Sequence, residues 1–86
     1  MTISEINVVI ANTSWNFERF KVFSQVKYNH DVLISPNYPG VRVVAQNRSR
    51  SKWKVVMMQA GAGVRPMLYD ARLADALTFV QRGFRA

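Results

Sequence analysis

Between residues 17 and 69, apolar side chains recur at every second position in short runs, and each run ends in turn-forming residues. A period of two places alternate side chains on opposite faces of a strand, so this pattern commits most of the chain to antiparallel ribbon rather than helix. In residues 17–28, Phe20, Val22, Val26 and Tyr28 share one parity, and Arg19, Lys21, Gln25 and Lys27 the other. On a helical wheel the same apolar residues scatter, so a long amphipathic strand is expected, with Phe23 intruding on its polar face. Asn29-His30-Asp31 reads as a tight turn into a short strand at 32–34. Ser35-Pro36-Asn37-Tyr38-Pro39-Gly40 follows, with Pro39 and Gly40 suited to the central positions of a type II turn.

The next two runs form the expected hairpin. In residues 41–47, Val41, Val43 and Ala45 oppose Arg42, Val44 and Gln46; in 52–59, Trp53, Val55 and Met57 oppose Lys54, Val56 and Met58. Arg48-Ser49-Arg50-Ser51 connects them. Ala60-Gly61-Ala62-Gly63 turns the chain into a last short strand at 64–69, where Pro66 implies an edge position because proline cannot donate to a ladder.

The two ends are read differently. In residues 3–11 the β-branched run Ile6-Asn7-Val8-Val9-Ile10 favours a strand, while Thr2-x-x-Glu5 fits a helix capping box; a strand is the expectation. In the C-terminal segment Leu73, Ala76, Leu77, Val80 and Phe84 fall within about 100° of arc at helical spacing. Asp70 is the expected N-cap and Gly83 the stop, giving a helix over about 70–82. Phe79 lies outside the apolar stripe beside Arg72, where it can meet Phe84 across a Schellman motif or, as the alternative, anchor a protein partner; the local contact is the expectation. The expected fold is α+β: a small, meander-like antiparallel sheet of about four or five strands, packed against one C-terminal α-helix.

A chain of 86 residues has room for one modest core, so residues 1–86 read as a single domain. The absence of cysteine removes a disulfide framework and thiolate metal sites. The longest apolar runs, 8–11 and 55–58, are too short to cross a bilayer, and the N-terminus lacks the pattern of a signal peptide, so a soluble, cytoplasmic protein is expected. No catalytic constellation is visible. The one histidine, His30, sits in the expected turn beside Asp31, and no serine has a nucleophile-elbow setting. Gly61-Ala62-Gly63 is followed by Val64-Arg65-Pro66 instead of the lysine and hydroxyl residue of a phosphate loop. Neither a catalytic role, nor a cofactor, nor a metal is expected.

Charge supplies the functional signal. Residues 1–41 carry three acids and three bases; residues 42–86 carry nine bases and two acids, which is the whole net charge of +7. Residues 42–65 hold Arg42, Arg48, Arg50, Lys52, Lys54 and Arg65 and no acid. Long cations spaced along a ribbon can each reach a phosphate, and arginine adds a planar fork suited to bidentate contacts. The expected contact residues are Arg42, Arg48, Arg50, Lys52 and Lys54. Trp53 is expected in the core, or otherwise against a base, and Tyr38 is expected at an exposed loop, where turn packing and partner contact are both open. A two-stranded ribbon fits the major groove, which favours DNA over RNA.

Over residues 41–83 this arrangement resembles, in architecture alone, the small DNA-binding modules of phage integrases. In size and lack of cysteine the chain is similar to phage-encoded inhibitors of host machinery. Two functions are therefore expected: a non-enzymatic nucleic-acid binder, or a small inhibitor or adaptor docking its basic face on an acidic protein surface, such as that of a nucleic-acid-processing machine. An unpaired sheet edge leaves room for a homodimer.

Overall fold

The structure is a computed structural model that describes residues 1–13, 21–25 and 30–84, with the backbone alone at 21–25 and His30. The elements run α1 (Ile3–Thr13), β1 (Lys21–Gln25), β2 (His30–Ile34), β3 (Val41–Ala45), β4 (Trp53–Gln59), β5 (Gly63–Ala71) and α2 (Leu73–Gln81). The strands form one antiparallel sheet in the order β1-β2-β3-β4-β5, the meander that the period-two runs and turn residues predict. The expected long strand at 17–28 is observed as β1 over its middle; its remainder, and Trp15, which the sequence suggests as a core plug, lie outside the described residues. Of the turn expected at 29–31, His30 and Asp31 belong instead to β2 and pair with Gln25 and Ser24, and residue 29 lies outside the described residues.

Residues 3–11 form a helix and not a strand. Thr2 and Glu5 close the capping box reciprocally: the Thr2 N–H donates to Glu5 Oε1 at 3.2 Å, and the Glu5 N–H donates to Thr2 Oγ1 at 3.1 Å. These bonds satisfy two of the amides that a helix start leaves orphaned. Ile6 and Ile10, four residues apart, then fall on one face and are both buried. The β-branched run is compatible with this face, so capping and burial outweigh its local strand preference. One helix was expected, and the core is in fact closed by two.

Both helices pack on the same side of the sheet. Ile6 and Ile10 of α1 and Leu73, Ala76, Leu77 and Val80 of α2 join Leu33, Val41, Val43, Ala45, Trp53 and Val55 in one buried cluster. From β3 and β4 the odd-numbered side enters this cluster, as the alternation predicts, with Leu33 of β2 beside it. The sequence suggests Met57, Met58 and Met67 as core filler; Met57 and Met67 fill the margin of the cluster, but Met58 is exposed on the other face.

The α2 boundary differs from expectation. Asp70 belongs to β5, where its φ of 54° is left-handed, and the N-cap is Arg72, with no side-chain cap. The cause is a displaced register. β4 pairs Trp53 with Ala71 but Val55 with Leu68, and Val56 with Pro66, so β5 carries an extra residue at each step. Such bulges bend the strand and hold it in the sheet beyond the point where sequence alone starts the helix. They also blunt the β5 edge, together with Pro66. The C-terminus of α2 is as predicted. Gly83 adopts φ 70°, its N–H donates to the Val80 carbonyl, and the Phe84 N–H donates to the Phe79 carbonyl, with the two rings in edge contact at 5.7 Å. No helix of the described residues is long and apolar enough to cross a membrane.

Candidate functional site

With both helices on one side, the even-numbered residues of β3 and β4 occupy the opposite face. Register places Arg42 against Val56 and Val44 against Lys54, and the Gln46 N–H closes the hairpin on the Lys52 carbonyl at 2.8 Å. Arg42, Lys54 and Lys52 therefore lie along one face of the β3–β4 hairpin, as the alternation predicts. None of the three forms an ion pair among the described residues.

The loop joining β3 to β4 is built by Asn47. Its Oδ1 accepts from the Ser51 N–H at 3.0 Å, its Nδ2 donates to Ser51 Oγ at 2.9 Å, and its carbonyl accepts from the Arg50 N–H at 3.2 Å. Side-chain bonding to nearby backbone is how asparagine replaces ladder bonds in a tight loop. Arg48 stands exposed at this tip. Arg50 does not join it: at φ 57° it folds back, its Nε pairing with the buried Asp31 carboxylate and its guanidinium donating to the Met1 carbonyl. The expectation that Arg50 projects with the other cations is corrected, because an acid from β2 neutralises it inside the fold. The N-terminal ammonium adds a bond to the Ser49 carbonyl, tying the start of the chain to the same loop.

Of the two aromatic candidates, Trp53 lies in the core as expected and Tyr38 is less exposed than expected. Trp53 is fully buried, its indole N–H donating to the Arg50 carbonyl at 3.0 Å, so the core alternative holds and base stacking is closed to it. Tyr38 is half-buried against the core, less open than a loop tyrosine was expected to be. It stands in the predicted turn, where the Val41 N–H donates to the Tyr38 carbonyl and Gly40 has φ 82°.

The site also contains residues that sequence reasoning passed over. Tyr69, 57% exposed, lies in the β5 bulge facing the Lys54 position, between the pairs Trp53–Ala71 and Val55–Leu68. Leu68 and Ala71 on either side of the bulge pack on the core, whereas the Tyr69 ring is left exposed. Beside it Gln46 reaches across β4, accepting from the Asp70 N–H at 2.8 Å and donating to Asp70 Oδ1 at 3.1 Å. At the opposite end, Ile34, Pro36, Tyr38, Pro39 and Met58 line an open cleft of about 580 Å³, with Arg42 at its polar side. Arg42 has no hydrogen-bond acceptor among the described residues. Ile34 and Met58 share parity with Val32 and Val56, so the face away from the helices is buried at Val32 and Val56 and exposed at Ile34 and Met58.

Comparison with family models, with curated proteins and with solved structures gives no match to this chain. Function is therefore read from the geometry.

Proposed function

We propose that this protein binds nucleic acid through the cation-bearing side of the β3–β4 hairpin and catalyses no reaction itself. The observation that carries the reading is the row Arg42, Lys54, Lys52 and Arg48, three along one face and one at the tip, none of them paired with a carboxylate among the described residues. Unpaired cations in line can displace counterions from successive phosphates, and each contact contributes to affinity without base specificity. The net charge of +7 adds long-range attraction.

The test is fluorescence anisotropy with labelled random oligonucleotides at about 50 to 200 mM salt. Binding is expected with a log–log salt slope of about −3 for the four cations. Replacing Arg42, Arg48, Lys52 and Lys54 together by Gln should flatten the slope and weaken binding by at least about ten-fold, with the melting temperature little changed. No binding at tens of micromolar protein overturns the reading.

A second reading, an inhibitor or adaptor docking on an acidic protein surface, is favoured by the exposed aliphatic residues Ile34, Met58 and Val64 of the β2, β4 and β5 strands. A partner retained from lysate after nuclease treatment, and released by the same four substitutions, supports it over the first.

A further inference from the structure

We infer that the cation-bearing side of the β3–β4 hairpin takes single-stranded rather than duplex nucleic acid, with one unpaired base in the cleft beside Arg42 and a second stacked on Tyr69. This deepens the nucleic-acid reading above and rests on it.

Three observations lead there. The first is the cleft. About 580 Å³ lies within the range of small-ligand sites, and its walls are the apolar side chains of Ile34, Pro36, Tyr38, Pro39 and Met58. A planar base with both faces free can enter such a space. A base within a duplex cannot, because its faces are covered by its neighbours and its edge by its partner. Arg42, the charged lining residue, has no partner among the described residues and can hold the phosphate of the nucleotide whose base enters.

The second is the direction of the cations. Arg42, the second residue of β3, lines the cleft, Lys54 lies opposite Val44 midway, and Lys52 lies opposite Gln46 where the strands end. At about 3.3 Å per residue, positions 42 to 46 span about 13 Å. Arg48 extends the row to the loop tip. A single strand leaving the cleft can follow this row, because its flexible backbone conforms to the twist of the ribbon.

The third is what lies beside the row. Tyr69 presents a largely exposed ring facing the Lys54 position, where a base carried by that backbone can stack on it. Stacking on an aromatic ring is sequence-tolerant and needs an unpaired base. Exposed Ile34 and Met58 complete the apolar surface near the cleft. A duplex would set phosphates against these side chains and gain nothing from them, whereas bases of a single strand would cover them.

The experiment measures anisotropy with labelled oligo(dT), oligo(U), a mixed-sequence single strand and the duplex of that sequence, using the full chain. Wild type is expected to bind single strands at least about ten-fold more tightly than the duplex, whichever sugar is preferred. Tyr69→Ala and, separately, Met58→Trp, which fills the cleft from its lip, should each weaken single-strand binding on the order of ten-fold and leave duplex binding unchanged. Both positions are exposed, and an unchanged melting curve confirms that each variant is folded. Equal affinity for single strand and duplex, or full single-strand affinity in both variants, overturns this inference while leaving the phosphate-binding role intact. No binding of either form overturns both.

Discussion

The guanidinium of Arg50 donates from Nε to the carboxylate of Asp31, linking the β3–β4 loop to the neighbouring β2 strand. The side chain of Asp31 is only 8% exposed and that of Arg50 28%, so the pair is largely withdrawn from water. Charges in such a position are held by each other, and removing one leaves the other uncompensated. Arg50 is thus a structural cation within a segment that otherwise presents free ones.

A first prediction separates the two kinds. Arg50→Gln should lower stability by about 1–3 kcal/mol, because it leaves a buried carboxylate unpaired, yet leave oligonucleotide affinity within about two-fold. Asp31→Asn should also cost stability but free a cation at the hairpin tip, tightening oligonucleotide binding and steepening the salt slope by about 0.7 to 0.9. Urea melts paired with salt titrations of anisotropy read both effects. A loss of affinity in Arg50→Gln equal to that of Arg48→Gln would mean that Arg50 leaves Asp31 to meet the ligand.

A second prediction concerns acid. The carboxyl group of Glu5 is held below the ordinary glutamate range, first by the Thr2 backbone N–H and then by the Thr2 hydroxyl. A group whose pKa is lower folded than unfolded contributes stability that is present above its unfolded pKa, about 4.3, and lost as pH falls through its folded value. The α1 capping box should therefore weaken in acid and not in base. Thr2→Val removes the hydroxyl and keeps the N–H, so the Glu5 carboxyl should titrate part of the way back toward the ordinary value. Carboxyl carbon NMR shifts of both proteins between about pH 2 and 7 measure this, and identical Glu5 titrations would show that the hydroxyl bond is not formed in solution.

The fate of α1 also shows what local sequence can and cannot decide. Both signals were present, a capping box at Thr2 and Glu5 and a β-branched run at 6–10, and each is a preference of only about 1 kcal/mol. What decides between them is burial of Ile6 and Ile10 against α2 and the sheet, a long-range term that no local window contains. The sheet was legible for the opposite reason. Alternation at Val41, Val43 and Ala45 and at Trp53 and Val55 records burial directly, since period two and one covered face are the same fact. Asp70 misled because a good N-cap residue is also one of the few side chains that tolerates a left-handed bulge position.

The candidate site divides along the same line. Arg42, Lys52 and Lys54 were legible because their parity follows from the strand pattern. Arg50 was not, since its acid partner lies nineteen residues away on another strand. Tyr69 was not, because the extra β5 residues that turn it outward are a property of pairing with β4. The cleft arises where the β2–β3 loop meets Met58, through the Met58 N–H bond to the Gly40 carbonyl at 2.7 Å, and nothing in either segment alone announces it.

Trp53 supplies the last prediction, because burial and base stacking require opposite outcomes from one substitution. Its ring is fully enclosed and its N–H donates to the Arg50 carbonyl, which holds the loop in its left-handed turn. Trp53→Phe keeps most of the apolar volume but removes that donor and leaves a void at the base of the hairpin. A loss of about 2–4 kcal/mol is expected, combining an unmet carbonyl with partial cavity formation. For a chain of this size, each kcal/mol lowers the melting temperature by roughly 4–8 °C. Affinity for oligo(dT), measured well below that melting point, should change by less than about two-fold, since Arg42, Lys52 and Lys54 lie on the other face of the hairpin and the Tyr69 ring is exposed. A variant that melts like wild type but binds on the order of ten-fold more weakly would instead put the indole on the ligand, and the buried position of Trp53 in the fold would be wrong.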